Sequence, residues 1–154
     1  MGYHEEKQRQ LDMRYIRMAK IWAENSYCIR RQVGALIVKD KMIISDGYNG
    51  TPSGFENICE DEVTGKTKPY VLHAEANAII SAARRDTLGA TLYLAGREAK
   101  SGELLHDATS CSMCRRVIIN AGIDRVVIRN TDSDYSVVHV EDWVREDDSL
   151  PAKV

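Results

Sequence analysis

Between residues 5 and 25, Leu11, Tyr15, Met18, Ala19 and Trp22 recur at intervals of three and four, with charged residues between them. That period predicts an amphipathic helix with one apolar stripe. The pattern then changes. VGALIV (33–38) and MIIS (42–45) are short apolar runs rich in β-branched residues, and the polar KDK between them predicts a hairpin. DGYNGTPSG (46–54) is dense in Gly, Asn, Pro and Ser, the composition of a loop. Residues 55–71 are polar and weakly patterned, and read as an irregular insertion. The stretch from His73 to about Arg85 is alanine-rich and carries Ile79 and Ile80, which predicts a second helix. TLYLA (91–95) predicts a strand and GREAKSGELLHDATS (96–110) a loop. A third helix is expected from Cys111 to about Asn120, with Gly122 placed to stop it, followed by a strand at RVVIR (125–129). Residues 131–148 are ambiguous. Tyr135, His139 and Trp143 stand four apart there, a spacing that suits core or helix-face packing.

Helix, two strands, helix, strand, helix, strand is the order of an α/β sandwich, with one mixed sheet and helices on its faces. The 154 residues fit a single domain, 1–154, with 55–71 as an insertion and 149–154 expected to fray. Such a length buries a sizeable core without a disulfide or a structural metal. The net charge of −2 offers no basic face of the kind a polynucleotide binder needs, but leaves room for a charged small substrate held by one or two arginines. No apolar run approaches the roughly 18 residues of a membrane span. MGYHEEKQRQ has no apolar signal-peptide region, and Glu6 stands where a myristoylation pattern has Ser or Thr. We therefore expect a cytoplasmic protein, with its four cysteines acting as ligands or free thiols rather than disulfides.

The chemistry concentrates in LHAEANAII (72–80) and TSCSMCRR (109–116). Cys111 and Cys114 are three apart in a predicted first helical turn. That spacing puts both on one face, where the positive end of the helix dipole favours thiolate. His73 opens the other helix, so two helix N-termini can meet around one metal. Two thiolates and one imidazole make a three-ligand zinc site with an open fourth position. Zinc lowers the pKa of water held there from about 15.7 toward roughly 7. Glu75, two residues from His73, is placed to take a proton from that water and return it to a substrate. H-x-E with P-C-x-x-C is the signature of zinc deaminases of nucleobases, which this chain carries with Ser110 in place of the proline. Each residue alone suits a bland role, as an exposed helix histidine, a first-turn carboxylate or a buried thiol; the four together do not.

The chain resembles the cytidine and deoxycytidylate deaminase superfamily over roughly residues 10 to 130, most closely its deoxycytidylate (dCMP) branch. The resemblance rests on CIRRQVGALIVKD, DGYNGTPSGFENICED, LHAEANAII, ATLYLA and SCSMCRRVIINAGI. GYNGTPSG discriminates between branches, because the zinc motif is common to all of them. The resemblance implies a five-stranded sheet in the order 2-1-3-4-5 with helices on both faces. It implies hydrolysis of dCMP to dUMP and ammonia, supplying dUMP for thymidylate synthesis. His73, Cys111 and Cys114 would bind one catalytic zinc and Glu75 would shuttle the proton. Asn49 would hold the sugar hydroxyl, the Ser110 carbonyl the cytosine amino group, and the Ala74 amide the pyrimidine carbonyl. Arg30 is favoured as a phosphate ligand, with Thr51 and the loop amides contributing; the other reading, a solvated surface pair of Arg30 and Arg31, stays open. The family is commonly hexameric, and many members are activated by dCTP and inhibited by dTTP at the region corresponding to Gly47, Tyr48, Asn49 and Gly50.

Two features depart from the family pattern. Ser110 stands where the family usually has proline; serine loses the fixed φ but is able to cap the helix. Some members hold a second, structural zinc near the positions of Cys28 and Cys59. Here KTKPYVL before His73 offers no histidine and His106 does not match in position, so either a second zinc or two reduced thiols is the reading of that pair. Three further functions are weighed against dCMP deamination: a deaminase of another free nucleotide, nucleoside or base, a tRNA or polynucleotide editor, and a silent zinc protein. The charge balance disfavours the editor, and Glu75 disfavours the silent site.

Overall fold

The computed structural model describes residues 2–101 and 112–146, with only the backbone of Ser112. The expectations for Ser110, Cys111, His106 and the 149–154 tail lie outside the described residues.

The first helix, α1, runs Tyr3–Trp22 and continues as a 3₁₀ turn, Ala23–Asn25. Its buried stripe is Asp12, Ile16 and Ala19, prolonged by Ala23. The sequence pattern instead points to Met18 and Trp22, which are exposed. The reason lies beneath the helix. A Cβ on Gly34 would stand 2.1 Å from the Ala19 carbonyl oxygen and 2.6 Å from the Ala23 nitrogen. The helix backbone rests on the sheet there, and only small side chains fit the contact.

Strands β1 (Arg31–Lys39) and β2 (Met42–Tyr48) form the expected hairpin. Asp40 and Lys41 turn it with φ of 51° and 62°, the left-handed pair of a type I′ turn, whose twist matches its flanking strands. After α2 (Ala74–Ile80) and the short α3 (Arg84–Thr87) come β3 (Thr91–Glu98), α4 (Ser112–Asn120), β4 (Arg125–Arg129), β5 (Tyr135–His139) and α5 (Val140–Glu146). The sheet order is β2-β1-β3-β4-β5, as the resemblance implies. Among the described strands, only β3 and β4 pair in parallel. Alternate residues build the two interfaces of a three-layer α/β/α sandwich. Ala35, Ile37, Leu92, Leu94, Val126 and Ile128 pack with residues of α2, α4 and α5, while Leu36, Val38, Tyr93, Ala95 and Val127 pack under α1. Burying each large aliphatic among them contributes about 1.5–3 kcal/mol, which makes this alternation the main fold determinant.

One polar cluster interrupts the α1 interface. Asp12 is buried and accepts hydrogen bonds from Tyr93 Oη, from Arg125 at 2.8 and 3.2 Å, from Gln8 at 2.9 Å and from Tyr135 Oη at 3.2 Å. Burial pushes this carboxyl up, but the bonds from Arg125, Tyr93 and Gln8 outweigh it and hold the group below its ordinary 3.8. Burial beside Asp12 raises the Tyr93 phenol. The cluster ties α1 to β3, β4 and β5.

Several boundaries differ from expectation. The helix predicted to reach Arg85 stops at Ile80, where Ser81 Oγ donates back to the Asn77 carbonyl at 3.0 Å and Ala83 is extended. Hydroxyl bonding of this kind competes with the helical ladder. Strand β3 reaches Glu98 because β1 begins at Arg31 and pairs with it there. The ambiguous 131–148 region resolves into β5 and α5. Tyr135 turns toward Asp12, and Trp143 enters the α5 side of the core with the Arg115 guanidinium 5.2 Å over its ring.

Cys28 and Cys59 form a disulfide across 31 residues. That corrects both expectations for the pair, a second zinc and two reduced thiols, since sulfurs bonded to each other are neither thiolate ligands nor free. It also corrects the general expectation of no disulfide. The neighbouring Glu60 carboxylate lies within 4.8 Å of both sulfurs, but its oxygens accept the amides of Ile29 and Arg30.

Candidate metal and substrate site

The site lies at the end of the sheet where β2 and β3 finish and β1 begins. His73 is the N-cap of α2, extended at φ −80° and ψ 155°, and Glu75 sits buried in the first turn. Gly50 and Leu72 exchange two backbone hydrogen bonds of 3.1 and 2.8 Å. The Gly-Tyr-Asn-Gly loop is thereby fastened to the residue preceding His73. Asn77 Nδ2 donates to the Tyr48 carbonyl at 2.8 Å and holds α2 against the same loop.

Cys114 is buried in the first turn of α4, and its Sγ lies 3.2 Å from His73 Nδ1. With the Glu75 carboxylate, these ligand atoms all fall within 4.8 Å of one another. Nitrogen and sulfur bound tetrahedrally to one zinc stand about 3.6 Å apart, given Zn–N near 2.0–2.1 Å and Zn–S near 2.3 Å. The observed pair is within a few tenths of an ångström of that, so the donor set fits zinc. Cys111, the third expected ligand, lies outside the described residues, as does Ser110.

The expected substrate contacts come together unevenly. Ala74 is the first residue of α2, so its N–H is among the donors a helix leaves without an intrahelical acceptor. Asn49 is engaged at both ends: Oδ1 accepts the Val33 amide at 2.9 Å and Nδ2 donates to the Arg31 carbonyl at 2.8 Å. Its remaining N–H and lone pair are what it has for a sugar hydroxyl. Thr51 is more fully engaged. Its N–H goes to Tyr27 Oη at 2.7 Å and its hydroxyl to the Glu56 carbonyl at 2.9 Å, so the Tyr27 hydroxyl hydrogen falls to Thr51 Oγ1 at 2.7 Å. In this arrangement Thr51 has no donor for a phosphate. Arg30 is exposed one residue before β1, its amide on Glu60 and its carbonyl accepting from Ala99 at 3.1 Å.

A cavity of about 520 Å³ opens beside the loop, lined by Tyr27, Gly47, Tyr48, Gly50, Thr51 and Asn77 among others. None of His73, Glu75 and Cys114 lines it. Tyr27, Glu60 and Asn77 were not singled out from sequence. Each acts on backbone groups far along the chain, and no local spacing marks such a role.

Residues 9–130 match the family model of the cytidine and deoxycytidylate deaminase zinc-binding region. The deoxycytidylate deaminase of Mycobacterium phage D29 is 35% identical over 129 residues, covering 75% of this chain and 91% of the phage protein. The human deoxycytidylate deaminase is 34% identical over 134 residues, covering 78% of this chain and 66% of the human one. Among solved structures, the dCMP deaminase of cyanophage S-TIM5 in complex with dCMP and dUMP superposes with a TM-score of 0.62, at 34% identity and 84% coverage of both chains.

Proposed function

The chain belongs to the cytidine and deoxycytidylate deaminase zinc-binding family, and on that premise we propose that it hydrolyses dCMP to dUMP and ammonia. The dUMP formed is the precursor of thymidylate. The observation that carries this reading is the meeting of His73 and Cys114 at 3.2 Å with buried Glu75 beside them, under a loop of dCMP-branch sequence. His73, Cys111 and Cys114 would hold the zinc. When bound, zinc supplies a water acidic enough to attack at neutral pH.

The chain's own residues do the rest. Glu75 takes a proton from the attacking water and delivers it to N3 as C4 becomes tetrahedral; it then takes the second proton, from the hydroxyl now on C4, and passes it to the amine, which leaves as ammonia as the C4–N bond breaks and the C4 carbonyl forms. Its burial removes competing solvent from that transfer. The Ala74 amide, free of an intrahelical acceptor at the start of α2, would meet the pyrimidine carbonyl, and by family resemblance the Ser110 carbonyl would take the amino group. Asn49 offers its remaining donor to the sugar, and Arg30, at the same end of the sheet, takes the 5′-phosphate. Thr51 serves the site through Tyr27 and not as a phosphate donor.

We take residues 1–154 as one deaminase domain, since a single sheet carries every described strand. No described helix is long and apolar enough to cross a membrane, which accords with a cytoplasmic enzyme. The cavity beside Gly47, Tyr48 and Gly50 is of a size to admit a nucleotide and supports regulation by dCTP and dTTP there. A homo-oligomer, a hexamer by family resemblance, is supported by a groove of about 550 Å³ between α2 and α4, lined by Ile79, Ala82, Met113 and Val117, beside an exposed Ile80. Ammonia release from dCMP by zinc-loaded protein, with CMP, deoxycytidine and dCTP in parallel, tests the assignment. Turnover strongly favouring dCMP supports it, and preference for another substrate overturns it. Dependence of the rate on added dCTP and dTTP, and the mass in solution, test regulation and assembly.

A further inference from the structure

Residues 26–29 approach the sheet ahead of β1, which begins at Arg31, and the Arg30 carbonyl is the first group on this segment to meet the neighbouring chain, accepting the Ala99 amide at 3.1 Å. The irregular segment after Asn49 holds residues 26–30. Tyr27 bonds Thr51, Cys28 bonds Cys59, and Glu60 bonds Ile29 and Arg30. Ser26 Oγ adds a bond to the Asn49 carbonyl at 2.9 Å. Of these fastenings, Glu60 is the one that acts on Arg30 itself. Glu60 is 5% exposed. Oε1 accepts the Ile29 amide at 2.9 Å and the Arg30 amide at 3.2 Å, and Oε2 lies 3.2 Å from the Ile29 amide.

We infer that Glu60 is a positioning residue for the phosphate end of the substrate site: by gathering two successive backbone amides, it sets the direction in which Arg30 leaves the chain. The inference rests on the dCMP reading with Arg30 at the phosphate. A buried carboxylate is costly unless it is hydrogen-bonded, and amide bonds to an ionised acceptor are about twice as strong as neutral ones. Two of them on adjacent amides fix both peptide planes before the Arg30 Cα. Arg30 is exposed; on the two sides of its Cα, the Glu60 bond holds its amide and the Ala99 bond holds its carbonyl. A flexible guanidinium binds a dianion well only from a fixed starting point, and misplacement by about 1 Å is enough to cost 10²-fold in a catalytic site.

The test compares KM and kcat of Glu60→Ala, Glu60→Gln and Arg30→Ala on dCMP and on deoxycytidine, which lacks the phosphate. Glu60→Ala is expected to raise KM for dCMP about tenfold, with kcat and the deoxycytidine rate changed less than about threefold. Glu60→Gln keeps an oxygen at the position that serves both amides, and is expected to restore KM to within about threefold of wild type. In an Arg30→Ala background, Glu60→Ala should add nothing. If Glu60→Ala does not fold, Glu60→Asp draws the carboxylate back by about 1.5 Å, one carbon–carbon bond, and should show the same KM-selective loss. Equal losses on both substrates, a loss mainly in kcat, or additivity with Arg30→Ala overturns the inference. If Arg30→Ala is selective for dCMP while the Glu60 variants are neutral, the inference fails alone. If Arg30→Ala does not discriminate the substrates, or wild type does not turn over dCMP, the reading beneath it fails too.

Discussion

Gly47→Ala tests whether close packing of α2 on β2 holds the proposed metal ligands His73 and Cys114 at their working separation. A Cβ on Gly47 would stand 2.5 Å from the Ala74 carbonyl oxygen and 2.6 Å from the Ala78 nitrogen, where ordinary contact begins at 3.4 Å. The helix must retreat by the difference, about 0.9 Å, because both atoms are backbone and no side-chain rotation relieves them. Bonds on either side of Gly47 resist the movement: Ser45 Oγ to the Ala78 carbonyl, and Asn77 Nδ2 to the Tyr48 carbonyl. The φ of Gly47 is not positive, so the glycine answers a steric demand and not a backbone one. His73 and Glu75 ride on α2, whereas Cys114 rides on α4. A retreat therefore changes the 3.2 Å separation of His73 and Cys114 directly.

Overpacking of this kind costs about 1–3 kcal/mol of stability. A shift near 1 Å in reacting groups costs on the order of 10²-fold in rate. Gly47→Ala is therefore expected to lower kcat/KM for dCMP about a hundredfold and to weaken zinc retention, with a moderate fall in Tm. Gly34→Ala is the control. Its Cβ meets the α1 backbone at 2.1 Å, a harder clash, but α1 carries no site residue. It should lose at least as much stability while the folded enzyme keeps its activity. Steady-state ammonia release, metal content by elemental analysis and thermal melts read the three quantities. Gly47→Ala within about threefold of wild type, or Gly34→Ala with an equal loss of rate, would refute the packing account.

Glu75→Gln is expected to lower kcat about 10²–10⁴-fold while zinc stays bound, since the carboxylate moves protons without serving as a ligand; a near-native rate would remove Glu75 from the mechanism. Asp12→Ala, followed by denaturant unfolding, should cost about 3–5 kcal/mol, because it leaves Arg125 and buried Tyr93 without their acceptor. The Asp12 carboxyl is held below 3.8 in the fold, so its contribution is complete above that pH and is lost as pH falls through the lower folded value. Wild-type Tm should therefore drop below about pH 4, and the drop should be shallower in Asp12→Asn. Reducing the Cys28–Cys59 bond should cost about 3–4 kcal/mol for a loop of 31 residues. Peptide mapping under non-reducing conditions must first recover the linked pair, and two alkylated thiols would withdraw that prediction.

What was legible in the sequence had a short period or a fixed spacing. The hairpin at Asp40–Lys41, the alternating strands and the stop at Gly122 follow from local chemistry, and the structure places each as expected. His73, Glu75 and Cys114 were marked by their spacing and stand together in space. What was not legible depends on partners far along the chain. Asp12 was only one of the charged residues between the apolar positions of α1, and nothing local marked it, because its partner Arg125 is 113 positions away. The α1 stripe was misplaced because Gly34, on another element, decides which side chains fit under it. The disulfide was argued away from cellular setting, a premise that says nothing about which sulfurs the fold brings together.

The irregular stretch from Asn49 to Leu72 shows why that division matters for function. By composition it was a loop and an insertion, with no helix or strand pattern to place its residues in space. In the fold it is fastened at Gly50 to Leu72, at Thr51 to Tyr27, at Cys59 to Cys28 and at Glu60 to Ile29 and Arg30. Its first fastening adjoins His73, the proposed metal ligand, and its last adjoins Arg30, proposed to hold the phosphate. The zinc motif is common to the whole family and carries the reaction. On the proposed reading, discrimination among cytosine substrates comes from groups that sense the sugar and the phosphate, and the residues assigned to them, Asn49 and Arg30, sit just beyond the end of β2 and just before the start of β1. Side-chain bonds such as those of Asn49, Tyr27 and Glu60 supply the rigidity that a ladder supplies elsewhere. A substitution among them should therefore alter which substrate is preferred before it alters the chemistry at C4.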